Sequence, residues 1–337
     1  MSPMRLLALL CAALLAASPA RAETPHSPLG RGDVVFRHHA NGMQYPSYTT
    51  RREQTCAPAQ DGDLRQRLVD LAVQEWARFG YPISQRADAP LLRHIFPDLA
   101  PATTTPYAER DPLMLQAIGG YWAALSGVAS GDVADTGAYE IAAANALWER
   151  DASEYRGNAG WFTPWSATFI SWLMCEAGVI DFRRSWAHRD YVDAAIAASD
   201  GGPAHAYQAR LPDMAPAIGD LLCSHRAEYR TDLLQRRADP MPEARMHCDL
   251  VVAVNRPAAL ILAIGGNVDN AVALVPYRLM GVRGGVRIRS VCPGEKVCAD
   301  ERVFALLTLE APDSGAALSH APALQARPTQ PPPRFHR

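Results

Sequence analysis

The sequence predicts an α+β fold in which helices come first and an antiparallel sheet follows. Two observations indicate this class. From about residue 61 to residue 200 apolar residues recur at helical spacing, whereas after about residue 215 the chain has short runs of Val, Ile and Leu broken by Gly, Pro and Asn. Helices followed by consecutive strands favour an antiparallel sheet over a doubly wound fold, and the sequence has no glycine-rich nucleotide-binding motif.

The first 22 residues have the pattern of a secretory signal peptide. A basic start at residues 1–5 precedes an apolar run at residues 6–17, and Ala20-Arg21-Ala22 is a small-x-small cleavage site. The run is too short to cross a bilayer comfortably, and no other segment reaches the roughly 20 apolar residues of a transmembrane helix. We expect cleavage after Ala22 and a periplasmic or secreted protein without a transmembrane anchor.

The two ends of the processed chain differ from its middle. Residues 23–60 are polar and aperiodic, which predicts an extended N-terminal arm. Residues 312–337 are rich in Ala, Ser and Pro and are predicted to form a disordered tail, whose removal should leave the fold intact. Residues 61–311 are predicted to form one domain. The formal net charge of -2 gives no basis for binding nucleic acid or for electrostatic binding to a membrane.

Within this domain the elements are predicted from periodicity. Helices are expected where apolar residues lie three or four positions apart, which is one helix face. They are predicted at residues 61–79, 112–125, 138–148, 163–177 and 187–198. Strands are predicted from the short runs of branched residues, at 219–223, 247–254, 259–264, 271–275, 286–289 and 303–309.

Six cysteines remain once the signal peptide is removed, and an even number in an exported protein favours disulfides. Cys292 and Cys298 flank a turn-rich stretch and are placed to close a small loop. Cys223 and Cys248 lie on two predicted strands and are placed to cross-link them. Buried free thiols are the alternative for both pairs.

The most informative segment covers residues 161–179. Thr163 suits a helix N-cap and Pro164 suits the first helical position, which places Ser166 in the first turn. A side chain there lies near the positive end of the helix dipole and near free backbone N–H groups, both of which favour a developing anion. Without further signals, a serine in a first turn is most often only part of the cap region.

This helix and the strands after it resemble those of a known group of enzymes. Trp165-Ser-Ala-Thr-Phe-Ile-Ser-Trp172 is similar to the Trp-Cys-Ala-x-Phe-Val-Ser-Trp helix of CHAP-type and NlpC-type cell-wall amidases and peptidases. The strand motifs of those families follow in the same order, at residues 219–222, 247–252 and 264–267. From about residue 64 to residue 309 the chain also resembles a bacterial family called domain of unknown function 2272, which is related to these amidases.

The resemblance implies a papain-like fold and a catalytic role for three residues. Ser166 stands where those enzymes carry the nucleophilic cysteine, His247 stands at the position of the general base, and Asn267 stands at the position of the residue that orients the imidazole. Asp249 is a second candidate for the orienting role, because residues two apart on a strand share a face. Close approach of Ser166 to His247 is therefore expected of an enzyme.

Serine is the departure from the family pattern, because a hydroxyl ionises far less readily than a thiol and depends wholly on its base. Cys175 lies nine residues further along the helix, on its opposite face. Cys248 is next to His247 and points to the other face of the strand. Neither cysteine is placed to supply a thiol nucleophile.

Several further residues are candidates for binding substrate. Trp161 and Trp165 are placed to form a cleft wall for a sugar or a peptide, although buried aromatics more often belong to a core. His188, on the next predicted helix, is a candidate for lining the same cleft, and a structural role is the alternative. Arg226 follows the strand at residues 219–223 and suits an acidic substrate group. Asp249 is included in this set as well.

Three functions of different classes fit these residues. The first is an exported hydrolase, with a Ser-His-Asn site, that cuts an amide in peptidoglycan or a related peptide. It requires neither a metal nor an organic cofactor. The second is a non-catalytic module that binds cell-wall peptide or a partner in the same cleft. The third is a serine esterase or acyltransferase. The sequence leaves the oligomeric state open.

Overall fold

A computed structural model of the chain combines helices with an antiparallel sheet, so its class is α+β, as the sequence predicts. It describes residues 33–38, 44–49, 56, 63–84, 112–125, 164–225, 232–238, 245–282, 285–291, 297–313 and 315–325. The predicted signal peptide at 1–22 and the predicted helix at 138–148 lie outside these residues. Trp161, Arg226 and Cys292 lie outside them as well.

The helices and strands follow one another largely as the sequence predicts. The first elements are β1 (Asp33–His38), β2 (Gln44–Thr49), α1 (Leu64–Arg78), α2 (Pro112–Ala123), α3 (Ser166–Ala177) and α4 (His188–Ser199). They are followed by β3 (Tyr207–Arg210), β4 (Leu221–His225), α5 (Leu233–Ala238), β5 (Met246–Asn255), β6 (Leu260–Val268), β7 (Ala271–Val282), β8 (Gly285–Val291) and β9 (Val297–Leu309). A 3₁₀ turn (Leu318–His320) and α6 (Pro322–Gln325) come last. Within the described residues, no helix has the length and apolar character needed to cross a membrane.

Among the described residues, seven strands form one antiparallel sheet in the order β3-β9-β4-β5-β6-β7-β8. A further pairing of β8 with β9 closes six of these strands into a curled ring. Apolar side chains of one face form a small inner cluster, consisting of Leu222, Val251, Ile261, Ala263, Tyr277, Ile288, Val303 and Leu306. Alternate residues of the same strands join the helices in a second, larger core. Within the predicted N-terminal arm, β1 and β2 form a separate antiparallel pair.

Helix α3 lies in the larger core and is apolar almost all round. Of its twelve residues, only Glu176 is not buried, which is typical of a helix enclosed by protein. Gly178 ends it in the left-handed conformation, at φ 82°, as a C-cap. The helix approaches β6 at Gly266, where an added Cβ would lie 2.5 Å from Cβ of Phe169. A residue without a side chain is therefore needed where α3 crosses the sheet.

A buried ion pair joins α1 to the sheet. Arg65 Nη1 lies 3.1 Å from Asp220 Oδ1, and both side chains are buried. Asp220 also accepts the backbone N–H of Leu309 at 3.0 Å, and Arg65 donates to the carbonyl of Leu309 at 2.7 Å. Burial raises the pKa of Asp220, and the bonds from backbone N–H groups and from Arg65 oppose that rise. The Gly-Asp-Leu-Leu motif thus has a structural role at this junction.

Two disulfides connect described residues. Cys223 and Cys248 face each other across β4 and β5 with a Cα–Cα distance of 4.1 Å, so the structure joins the pair that was expected to cross-link two strands. The second disulfide joins Cys56 to Cys175 in α3, a pairing that the sequence analysis did not propose. The proposed partner of Cys298 lies outside the described residues, so that pairing stays a prediction.

The first part of the predicted disordered tail is ordered, which corrects that prediction. Residues 315–325 pack against α1, and Ala321 is fully buried. The backbone N–H of Ala317 donates to Oε1 of Gln66 at 2.7 Å, and the hydroxyl of Tyr81 donates to the carbonyl of Ala323 at 2.7 Å. Composition misled the prediction because a few apolar residues of this segment, Ala316, Leu318 and Ala321, are buried. Residues 326–337 lie outside the described residues.

Candidate active site

Ser166 is the first residue of α3, and the helix begins later than predicted. Trp165 occupies the N-cap position without a side-chain cap bond, and Pro164 precedes the helix and is exposed. Thr163, the predicted N-cap, lies outside the described residues. The first N–H groups of an α-helix have no intrahelical acceptor, so Ser166 still lies beside unpaired donors.

Trp165 belongs to the core and does not form a cleft wall. Only 1% of its surface is exposed. Its ring stacks between Phe79 and Tyr121, at centroid distances of 5.9 Å and 5.7 Å. The predicted binding role of Trp165 is therefore wrong, and the stacked ring instead fixes the start of α3. This anchoring determines where the backbone of Ser166 lies.

The side chain of Ser166 contacts a histidine of the neighbouring helix. Its Oγ lies 2.7 Å from Nε2 of His188, the first residue of α4. Both residues are buried, with 4% and 6% of their surfaces exposed. The sequence analysis assigned the base to His247 instead. In the structure the imidazole bonded to Ser166 comes from a helix, which strand motifs could not reveal.

The other ring nitrogen of His188 is held by a phenol. Nδ1 is hydrogen-bonded to the hydroxyl of Tyr191, three residues further along α4. Burial raises the pKa of Tyr191 well above its usual value, and the charge of Asp249 raises it further, so the phenol stays protonated. A phenol hydroxyl can accept as well as donate. When it accepts Nδ1–H, Nε2 of His188 is left to accept the hydroxyl proton of Ser166.

His247 forms a second polar unit on β5. Its Nε2 lies 2.8 Å from Oδ1 of Asp249, and the hydroxyl of Tyr277 donates to Oδ2 of the same carboxylate. Asp249 is buried. The carboxylate accepts the Nε2 proton, which leaves Nδ1 of His247 as the nitrogen with a lone pair. Asp249, the second candidate of the sequence analysis, is therefore the residue that orients this imidazole.

Asn267 does not take the orienting role that the family resemblance implies. It lies at a register shift between Gly265 and Val268 and has φ 55°. Within the described part of the chain, its side chain makes no hydrogen bond to His247. The bulge places Asn267 in the left-handed region, which asparagine tolerates better than most residues. The asparagine at position 267 therefore suits the left-handed backbone conformation near the end of β6.

The two polar units lie against each other. The rings of His188 and His247 pack edge to face, with centroids 5.1 Å apart and an angle of 63° between their planes. Gly265 makes room for this arrangement, because a Cβ there would lie 1.7 Å from Oδ1 of Asp249 and 3.0 Å from Nε2 of His247. A glycine inside a strand often marks close approach of another group. Gly265, at the end of a predicted strand, was therefore visible in the sequence as a possible point of close approach.

Ser224 is a further polar residue at this end of the sheet. It lies directly opposite His247 in the antiparallel pairing of β4 and β5, so the two side chains share a face. Ser224 Oγ and His247 Nδ1 are both buried, and neither has a hydrogen-bond partner within the described part of the chain. Buried polar atoms are nearly always bonded, so this pair of atoms calls for an explanation.

The model of one protein family matches residues 109–303 of the chain. Its description is "uncharacterized protein conserved in bacteria (DUF2272)". The chain belongs to this family. No curated protein and no solved structure matches the chain. The DUF2272 match contains both polar units, Ser224 and the disulfide between β4 and β5, whereas α1 and residues 315–325 lie outside it.

In this DUF2272 chain, a serine and an imidazole at the N-termini of α3 and α4 thus meet an imidazole and a carboxylate of β5. The arrangement is suited to moving a proton away from Ser166 while the positive end of α3 faces a developing negative charge. Among the described residues, no group of three His, Cys, Asp or Glu side chains is placed to hold a metal ion.

Proposed function

We propose that the chain is an exported hydrolase that attacks an acyl group with Ser166, and that its substrates are peptide amides of the bacterial cell wall. The proposal is carried by the 2.7 Å contact between Ser166 Oγ and His188 Nε2 at the N-terminus of α3. A serine becomes an effective nucleophile only when an adjacent base takes its proton. The resemblance of the segment around Ser166 to cell-wall amidases supports the substrate class.

In the proposed reaction, Ser166 Oγ attacks the carbonyl carbon and its proton passes to Nε2 of His188. Backbone N–H groups of the first turn of α3 stabilise the oxyanion, because they are not used within the helix. His188 then gives the proton to the leaving amine as the C–N bond breaks, which leaves an acyl group on Ser166. Tyr191 acts as a positioning residue that fixes the His188 ring through Nδ1.

A papain-like relationship is part of this proposal. In such a relationship α3 corresponds to the nucleophile helix, and β5 corresponds to the strand that carries the base. The packing of α3 against β6 at Gly266, beside β5, supports it. Two features depart from that pattern, because the nucleophile is a serine and its hydrogen-bonded imidazole comes from α4. We propose that in this chain His188 serves the serine.

A non-catalytic module that binds cell-wall peptide is the second candidate, and the burial of the site favours it. Only 4% of the surface of Ser166 is exposed, so a substrate carbonyl reaches Oγ only after neighbouring side chains move. The bonding of Ser166 favours the hydrolase. A serine with only a capping role bonds to backbone N–H groups, whereas Ser166 bonds to an imidazole that lies against a second imidazole.

The decisive experiment is digestion of purified peptidoglycan by the purified, disulfide-bonded protein. Soluble products and newly exposed amino groups are followed by liquid chromatography and mass spectrometry. We expect amide cleavage by the wild type and a loss of at least about 100-fold for Ser166→Ala and for His188→Ala. The double variant should be little worse than either single variant, because members of one catalytic unit are not additive.

Ser199→Ala is the matched control. Ser199 lies at the far end of α4 from His188, where its hydroxyl bonds to the backbone of Ala195 and Ala209, so its loss should leave cleavage unchanged. Full activity of Ser166→Ala would exclude the proposed nucleophile. Binding of peptidoglycan without cleavage, equal in the wild type and in Ser166→Ala, would favour the binding module. Cleavage of simple esters but not of peptidoglycan would favour the esterase.

A further inference from the structure

Resting on the proposed function, we infer that the two histidines serve different half-reactions. His188 serves the attack by Ser166, and His247 together with Ser224 binds and activates the water that hydrolyses the acyl-enzyme. Enzymes with one histidine must use the same ring for both steps. This site holds two imidazoles in contact, and their hydrogen bonds assign them to different partners.

The first observation is the direction in which His247 is held. Its Nε2 is bonded to Asp249, and Tyr277 holds the other carboxylate oxygen. The ring is therefore fixed at one end of a buried chain of hydrogen bonds, and Nδ1 is left as a base nitrogen. Nδ1 is buried and has no partner within the described residues.

The second observation is independent and concerns the neighbouring strand. Ser224 lies directly opposite His247, and its hydroxyl is also buried without a partner in the described part of the chain. Opposite side chains on an antiparallel pair have Cβ atoms roughly 5 Å apart. One hydroxyl that can donate and one nitrogen that can accept, both buried, match the needs of a single water molecule. Such a water donates to Nδ1 and accepts from Ser224.

The position of this water relative to Ser166 follows from the packing of the two rings. His188 is bonded to Ser166, and the His247 ring meets the His188 ring at 5.1 Å between centroids. An acyl group on Ser166 would thus lie beside the water on His247. Of the two rings, only that of His247 has a buried nitrogen without a partner among the described residues, so His247 is the imidazole that we assign to the water.

The deacylation step balances as follows. The water oxygen forms a bond to the acyl carbon while one water proton passes to Nδ1 of His247. The ester bond from the acyl carbon to Ser166 Oγ then breaks. The proton held on His247 is delivered to Ser166 Oγ, and the product leaves as a carboxylic acid that releases its own proton to solvent. No oxidant, reductant or metal takes part.

The experiment uses p-nitrophenyl acetate as a simple activated ester. Release of p-nitrophenolate is followed by stopped flow, and acetylation of Ser166 is followed by intact-mass and peptide-mass analysis. For His247→Ala and Ser224→Ala we expect a burst of about one p-nitrophenolate per enzyme, a persistent acetyl group on Ser166 and slower turnover. The slowing should be at least about tenfold for Ser224→Ala and about 100-fold for His247→Ala. For His188→Ala we expect no burst.

The controls separate the inference from the proposed function. Hydroxylamine, a small external nucleophile, should release the acetyl group from His247→Ala, which shows that the group is held as an ester, and the burst itself shows that the variant is folded. Ser199→Ala should behave like the wild type. Acetylation of Ser166 with wild-type deacylation in both His247→Ala and Ser224→Ala would overturn the inference alone, as would equal loss of the burst in His188→Ala and His247→Ala. Absence of turnover by the wild type together with absence of Ser166 acetylation in His247→Ala would overturn the proposed function as well.

Discussion

Ser166 occupies a position whose surroundings also suit a thiolate. It begins a buried helix, its side chain is bonded to an imidazole, and a second imidazole lies behind the first. These are the features that lower a cysteine pKa in enzymes. A thiol at this position would therefore ionise readily, whereas the serine hydroxyl depends on His188 to take its proton.

We expect Ser166→Cys to keep or increase hydrolase activity. Near a helix N-terminus and an imidazole, a cysteine loses its proton before it attacks. A serine must transfer its proton to the base during the attack. The rate of amide cleavage is compared with that of the wild type and of Ser166→Ala. The new thiol should also be alkylated by iodoacetamide. A Ser166→Cys protein that is both unreactive and inactive would contradict this expectation.

We expect Gly265→Ala to lower both stability and activity. The added methyl would lie 1.7 Å from Oδ1 of Asp249, so the carboxylate must leave its place beside His247. Overpacking of this kind costs about 1–3 kcal/mol of unfolding free energy. Gly281→Ala is the control, because an added Cβ there meets no atom within 4 Å. Equal urea midpoints for the two variants would show that the Gly265 contact is unimportant.

The site could be predicted from the sequence only in part. Ser166 stood out because a helix start, a tryptophan and an apolar run surround it. His188 was proposed only as a residue that lines the cleft, because its bond to Ser166 depends on the angle at which α4 meets α3, and no local pattern encodes that angle. Asp249 could be proposed from strand alternation alone. The family position of Asn267 did not give the residue that is bonded to His247, since Asn267 lies at a register shift of β6 against β7 and Asp249 holds the imidazole.

At the level of helices and strands, periodicity located the elements well and their ends poorly. The predicted strand at 271–275 covers less than half of β7, which extends to Val282. The four-residue strand β3, at the edge of the sheet, was missed because it is too short to give a clear alternation. The ring closure by β8 and β9 depends on pairing between distant segments, which periodicity does not specify.

His205, in the segment between α4 and β3, contacts the segment that joins α3 to α4. Nε2 of His205 accepts the backbone N–H of Arg183 at 3.3 Å, and Nδ1 lies 3.2 Å from the carbonyl of Tyr207. Burial lowers the pKa of His205 below its ordinary value of 6.5. A lowered folded-state pKa means that the neutral ring is favoured by folding. The stabilisation is complete above the unfolded pKa and is lost as the pH falls through the folded pKa.

We therefore expect the urea midpoint of the wild type to fall as the pH is lowered below about 6.5. His205→Gln removes the titrating ring and should flatten this part of the pH profile. Both proteins are measured by circular dichroism between about pH 7.5 and about pH 5, a range set by the ordinary His pKa of about 6.5. Parallel profiles for the two proteins would show that another group controls the acid sensitivity.

On the scale of the whole molecule, the C-terminal segment completes the core beside α1. Leu318 and Ala321 are buried there, and hydrogen bonds tie the segment to Gln66 and Tyr81. Arg65 also donates to the carbonyls of Ala311 and Pro312. The domain therefore extends beyond residue 311.

We expect a chain that ends at residue 311 to be less stable than the full chain by about 2–4 kcal/mol, from lost apolar burial and hydrogen bonds. A chain that ends at Gln325 is the matched control, because it keeps every described contact of the segment. Urea unfolding of both truncated proteins and the full chain is compared. Identical midpoints for all three would restore the original expectation of a dispensable tail.

The bond between Cys56 and Cys175 has a consequence for covalent topology. It joins positions 119 residues apart, so the chain from one to the other forms a closed loop that contains α1 and α2. A protease that cuts this loop once opens it without separating the pieces. Such a nicked molecule would run as one band on a non-reducing gel and as two after reduction, with α1 still tethered to the helix that begins at Ser166.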